Sequence, residues 1–114
     1  MRILVVGAGR IGAYVLRQLR KNSRLQVCTV DPREHPFAVT QGVIPKVDYH
    51  EPLTSHELLT VIDQVKPDLI LVTTASEDLI TNTRHVSGMS ILVEALRKEL
   101  AARASVPVIA VARM

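Results

Sequence analysis

Aromatic side chains are scarce in this sequence. Its 114 residues hold Tyr14, Tyr49 and Phe37 and no tryptophan. That is too few for the stacked platforms on which single-stranded nucleic acids are usually held, so no nucleic-acid partner is expected. Cysteine is scarcer still. Cys28 stands alone, which excludes an intramolecular disulfide and a Cys-rich zinc knuckle. Its neighbours Leu25, Val27 and Val30 predict a buried, inert thiol. Long apolar runs are also missing. The longest, 69–72 and 106–112, are strand-length, well short of the roughly 20 residues that a membrane-spanning helix needs. No signal-peptide architecture precedes the first apolar run. A cytoplasmic chain without direct membrane insertion is therefore expected. Neither charge sign dominates, for the net charge is +3 and the basic residues are spread from Arg2 to Arg113.

What is present is the composition of a folded globule, 47% hydrophobic and 22% charged, at a length that fits one domain over 1–114. Apolar runs alternate with helical patterns throughout, the one-dimensional signature of an α/β fold with a parallel sheet. A strand is predicted over 2–6 and a helix over about 10–22, in which Ile11, Val15, Leu16 and Leu19 form the apolar face. A second strand over 25–30 stops at Asp31 and Pro32. The next stretch, 32–54, holds four prolines and only a weak strand signal at 43–49. Thr54 and Glu57 then form a T-x-x-E capping box before a helix carrying Leu58, Val61, Ile62 and Val65, closed by Pro67.

A strong strand follows over 68–73. Beyond it the pattern predicts a short helix capped by Ser76, a break near 83–88, a longer helix over about 89–104 with Leu92, Leu96 and Leu100 inward, and a last strand over 107–112. Right-handed crossovers then give a three-layer, Rossmann-like fold with a parallel sheet of about five strands in the order 3-2-1-4-5.

The residues that carry chemistry are Gly7-Ala8-Gly9-Arg10-Ile11-Gly12, a G-x-G-x-x-G set between the first strand and the first helix. In such a turn the first glycine permits the tight exit from the strand. The second lets a pyrophosphate approach the backbone, and the third lets the helix lie close to the sheet. The amides opening that helix favour negative charge. An acid is needed at the end of the second strand to accept the adenosine ribose hydroxyls, and Asp31 stands there, 19 residues after Gly12. A carboxylate in that place repels a 2′-phosphate, which favours NAD(H) over NADP(H), although Arg33 offers an offsetting charge. Asp31, Pro32 and Arg33 together form the expected ribose turn. The bland alternative is that the glycines only shape a tight turn and that Asp31 only begins another one.

Further candidates follow from topology. Asp48 lies after the weak third strand, within reach of an adenine edge or simply solvated. Thr73, Thr74 and Ala75 end the fourth strand beside the first, where the switch-point rule puts the second half of a bound ligand. His56-Glu57-Leu58-Leu59-Thr60 imitates a zinc-protease helix, but Thr60 replaces the second histidine, and His50 and Glu51 sit near Asp48 in a proline-rich loop, so no metal is expected. No G-x-S-x-G elbow occurs, and Ser55 beside His56 has no third partner. Lys46 and His85 are available acids or bases, but no second domain is visible to hold a substrate, and no catalytic residue is assigned.

Ile3-Leu4-Val5-Val6 with the glycine set, Val30-Asp31, Val47-Asp48 and the strand Asp68-Leu69-Ile70-Leu71-Val72-Thr73 resemble the TrkA-N domain. This is the nucleotide-binding half of RCK modules that regulate potassium channels and transporters. The resemblance implies that Gly7, Gly9, Arg10, Ile11 and Gly12 cradle phosphates, that Asp31 holds the ribose, that Asp48 sits near adenine, and that Thr73 and Thr74 border the rest of the ligand. Val47 departs from that family's usual glycine before the aspartate, and 81–88 looks like an inserted loop. The first strand, glycine turn and second strand are also similar to saccharopine-dehydrogenase-like enzymes. Two functional expectations follow. One is a homodimeric sensing module for NAD(H), or alternatively ADP or ATP, that docks on a transporter, channel or enzyme. The other is a small NAD-dependent oxidoreductase, or its cofactor-binding part, completed by a partner or a second subunit.

Overall fold

β1 (Arg2–Val6) carries four consecutive buried side chains, Ile3, Leu4, Val5 and Val6. A strand that is apolar on both sides has no face for water and belongs in the middle of a sheet covered twice over. The computed structural model describes residues 1–73 and 89–111, apart from the side chains of 89–92. After β1 come α1 (Arg10–Leu19), β2 (Gln26–Val30), α2 (Phe37–Thr40), α3 (Ser55–Val65), β3 (Leu69–Val72), α4 (Met89–Arg103) and β4 (Val108–Ala110). Among the described residues the sheet has four strands, all parallel, in the order β2-β1-β3-β4.

Alternation along β1 divides the core. Ile3 and Val5 face one layer, with Ala13 and Leu16 of α1, Ala38 of α2, and Ile44 and Val47 of the following loop. Leu4 and Val6 face the other, with Leu58, Val61 and Val65 of α3 and Leu96 and Leu100 of α4. Leu16, Leu58 and Leu100 have no exposed surface, and each such side chain contributes roughly 1.5–3 kcal/mol through burial. The three-layer α/β expectation therefore stands, while the strand count does not.

The strand expected over 43–49 is reduced to one parallel bridge, Val30 with Tyr49. Ile44 breaks the two-residue alternation that Val43, Val47 and Tyr49 keep, and Pro45 beside it removes a ladder donor. Ile44 and Val47 are instead buried as plugs beside β2. The expected order 3-2-1-4-5 loses its first member, and the other four strands keep their expected neighbours. A short helix the sequence did not predict, α2, follows Pro36, and the Ala38 N–H donates to the Ala8 carbonyl at 3.0 Å.

α3 begins after Thr54 as expected, but the box is wired differently: the Thr54 hydroxyl donates to the Glu57 carboxylate and makes no bond to a backbone amide. α3 ends as Lys66 turns left-handed at φ 53° ahead of Pro67. The short helix expected at Ser76 and the break near 83–88 lie outside the described residues. Among the described residues no helix is long and apolar enough to cross a membrane.

Candidate functional site

The glycine turn is built where β2, β1 and β3 end side by side. Gly7 leaves β1 at φ 98°, a conformation that side chains other than glycine's rarely allow, and its N–H donates to Val30 of β2 at 2.8 Å. Gly9 caps α1, its carbonyl accepting the Ala13 N–H at 2.8 Å. Gly12 faces the turn so closely that an added Cβ would stand 2.3 Å from the Gly7 carbonyl oxygen and 2.9 Å from Thr73 Oγ1. Close packing of helix on strand thus requires glycine at position 12, as the motif implies.

No side chain caps α1, and its first turn carries no acid. The amides of Arg10, Ile11 and Gly12 therefore open the helix without a competing carboxylate, at the positive end of its dipole. The Arg10 guanidinium lies 4.8 Å from the centre of the Phe37 ring, stacked on α2. Any phosphate contact from position 10 falls to its backbone while that stacking holds.

Asp31 ends β2 with no exposed surface. Its Oδ2 accepts the Ala8 N–H and Arg33 Nη2, both at 2.8 Å, and its Oδ1 accepts the Arg33 N–H and Nε, both at 2.9 Å. Burial alone would raise the carboxyl's pKa. The Arg33 side-chain bonds, the Ala8 and Arg33 amides and the Arg33 charge outweigh it and leave the group below its ordinary range. Asp31 thus ties the glycine turn to the end of β2, and its backbone N–H donates to the Tyr49 carbonyl at 3.0 Å. Pro32 is exposed beside it.

The remaining expected site residues are placed as follows. Thr73 is buried, and its hydroxyl sits 3.0 Å from the Val6 carbonyl and 2.8 Å from that of Gly7, under the turn. It buttresses the turn from below. Asp48 lies on the outer side of β2, where its carboxylate accepts the Thr29 N–H at 2.8 Å and the Thr29 hydroxyl at 3.2 Å. Thr74 and Ala75 lie outside the described residues. Cys28 is half-buried rather than fully buried, and burial, with the Asp48 charge, pushes its thiol pKa up. A cavity of about 380 Å³ opens between the end of α1, β2 and the loop holding Lys46 and Asp48, and neither the glycine turn nor Asp31 lines it. Among the described residues no three His, Cys, Asp or Glu side chains converge as metal ligands.

Sequence reasoning missed Ala8, whose backbone holds Asp31 and α2, because main-chain bonds leave no residue signature. It also missed Arg33 as the partner of Asp31. The signal for that pair was present, since an acid and an arginine two residues apart around a proline turn can close on one another.

The chain has a Rossmann-type fold. It superposes with a TM-score of 0.66 on UDP-glucose 4-epimerase with UDP-glucose from Thermotoga maritima, over 96% of this chain at 17% identity. It superposes equally well, with a TM-score of 0.66, on L-threonine 3-dehydrogenase from Trypanosoma brucei, over 96% of this chain at 21% identity. The chain spans 37% and 35% of the length of those two proteins. No family model matches the sequence, and no curated protein is significantly similar to it.

Proposed function

We propose that this Rossmann-type chain is the nicotinamide-dinucleotide-binding part of an oxidoreductase. The observation that carries the reading is the start of α1. An uncapped helix with no acid in its first turn follows a glycine turn in which Gly7 takes positive φ and Gly12 seats the helix against the strand. These residues fit a pyrophosphate: the backbone of Gly7, Gly9, Arg10, Ile11 and Gly12 would hold it, and the turn Asp31-Pro32-Arg33 would meet the adenosine ribose. Asp48, whose carboxylate accepts from Thr29, would lie toward the adenine. The cofactor, when bound, supplies the hydride chemistry, and this chain's residues bind and orient it.

The likeness to a dehydrogenase and an epimerase favours this reading over a regulatory TrkA-N module docked on a channel or transporter. Both readings share the turn and both admit NAD(H), but only the regulatory one extends to ADP or ATP. Purified, nucleotide-stripped protein is therefore melted with NAD, NADH, NADP, NADPH, AMP, ADP and ATP. A ligand at a hundred times its dissociation constant adds about 2.7 kcal/mol, on the order of ten degrees for a domain near this size. The expected result is a larger shift with a dinucleotide than with any mononucleotide. A larger shift with ADP or ATP favours the regulatory module. A folded protein that shifts with none of them overturns nucleotide binding altogether.

A further inference from the structure

The loop after α2 meets β2 only near the strand's end, where Asp48 accepts from Thr29 and Tyr49 bridges Val30. Nearer the start of β2, no strand lies along its outer edge among the described residues, because Pro45 interrupts the one that the apolar pattern begins. The gap left there is the cavity of about 380 Å³ beside α1. One wall of it is apolar, made of Leu16, Leu25, Val27 and Ile44. Its mouth is cationic, for Arg20 and Lys46 both line it and both are exposed. Arg20 donates through Nη1 to the Val43 carbonyl at 2.8 Å, which ties the end of α1 to the loop without using a carboxylate. Lys46 makes no hydrogen bond or ion pair among the described residues. Asn22 also lines the cavity, and since its Oδ1 accepts the Arg24 N–H at 3.0 Å, its NH₂ is the end left to donate. Asp48 is the one acid of the lining, and its Oδ2 is turned to the Thr29 amide and hydroxyl.

Small-molecule sites combine an apolar body with a few polar groups that fix orientation, in volumes of this order. At about 30 Å³ for each water, the space matches roughly a dozen waters, room for a compact organic molecule. The apolar wall selects a hydrocarbon body, and two cations that no carboxylate neutralises select an anionic end. Inorganic phosphate alone would leave that wall wet. We propose that this cavity is a second ligand site, taking a small monocarboxylate with a hydrocarbon body. Lys46 and Arg20 would hold the carboxylate at the mouth, and Leu25, Val27 and Ile44 the hydrocarbon within. The cavity extends from Thr29 toward Asn22 and Leu25 at the start of β2, away from the strand ends that carry the glycine turn. It therefore stands independently of the dinucleotide reading.

An NMR titration that follows the backbone amides of the 114-residue chain tests this. The probes are hexanoate and phenylacetate, their uncharged counterparts hexanamide and phenylacetamide, and inorganic phosphate. The two acids are expected to shift the amides of Leu16, Leu25, Val27 and Ile44 saturably, and to leave those of Gly7 and Gly9 in place. The neutral amides and phosphate are expected to bind about tenfold more weakly. Lys46→Glu is expected to weaken the acids about tenfold, and Lys46→Arg to retain them. If Lys46→Glu fails to fold, the ratio of acid to neutral amide still decides. Acids that leave the cavity amides unshifted overturn the proposal, as does equal binding of the neutral amides or of phosphate. So does acid binding that survives unchanged in a folded Lys46→Glu protein. Displacement of bound hexanoate by 5′-ADP overturns it too, by giving the cavity to a nucleotide. Failure of NAD to bind bears on none of these outcomes, so the two readings fail separately.

Discussion

Asp31 illustrates how one buried acid is kept charged. Dehydration works against its ionised form, and the chain answers with two amides and a guanidinium fork that bring its pKa below the ordinary carboxylate range. The sign of the consequence is fixed by linkage. Between the lowered native pKa and the unfolded value near about 4, the unfolded chain binds more protons than the native one, so stability rises with pH across that window. The contribution of Asp31 is complete above the unfolded pKa and is lost as pH falls through the native one. Asp31→Asn keeps the shape and removes the charge, turning an amide NH₂ toward groups that are themselves donors. Loss of charge-assisted bonds at such a site costs about 2 kcal/mol. In urea denaturation the variant is expected to be less stable than the wild type at pH 7, with the gap narrowing below about pH 4. A gap independent of pH would refute the charged role.

The contact of α1 with the central strands turns on one missing side chain. Gly7 is anchored through its N–H to Val30, and Thr73 is anchored against the Val6 and Gly7 carbonyls, so neither can retreat from a Cβ placed at position 12. In Gly12→Ala the helix must move away from the sheet, loosening Ala13 and Leu16, which pack beneath it. Overpacking of this kind costs about 1–3 kcal/mol. The expected outcome is a melt lowered accordingly, together with weaker dinucleotide binding because the amides of α1 shift with the helix. A variant within about 0.5 kcal/mol of the wild type, with unchanged binding, would show that the helix yields freely. This contact was legible from the glycine spacing, as were β1, β2, β3 and the inward Leu58, Val61, Ile62 and Val65 of α3, because glycine motifs and unbroken apolar runs are local signals. The strand expected over 43–49 was not, since its apolar residues carry a loop that plugs the core through Ile44 and Val47. Nor was α2, which depends on a long-range bond from Ala38 to Ala8. At the site, the position of Asp31 was legible but its closure by Arg33 was not, because that requires the turn at Pro32 to bring the two side chains together.

At the scale of the molecule, the two faces of the sheet are covered unequally among the described residues. Val108 of β4 is buried against the α3 and α4 layer, whereas Ile109, on the opposite face, is 50% exposed. Its ladder partner Leu71 is only partly buried. Large apolar side chains at the last strand of a sheet favour association unless something covers them. The homodimer expected from the sequence would use this side of the molecule, away from β2 and the turn at Asp31, so assembly and the proposed nucleotide binding would not compete. Light scattering of concentrated wild-type protein is expected to give the mass of a dimer, and Ile109→Lys that of a monomer. Because Ile109 is a surface position in the single chain, the substitution is expected to change monomer stability by no more than about 0.5 kcal/mol. It is also expected to leave the dinucleotide affinity as it was. A sharp wild-type monomer would dismiss the dimer, and a dimer that persists in Ile109→Lys would move its interface to another face.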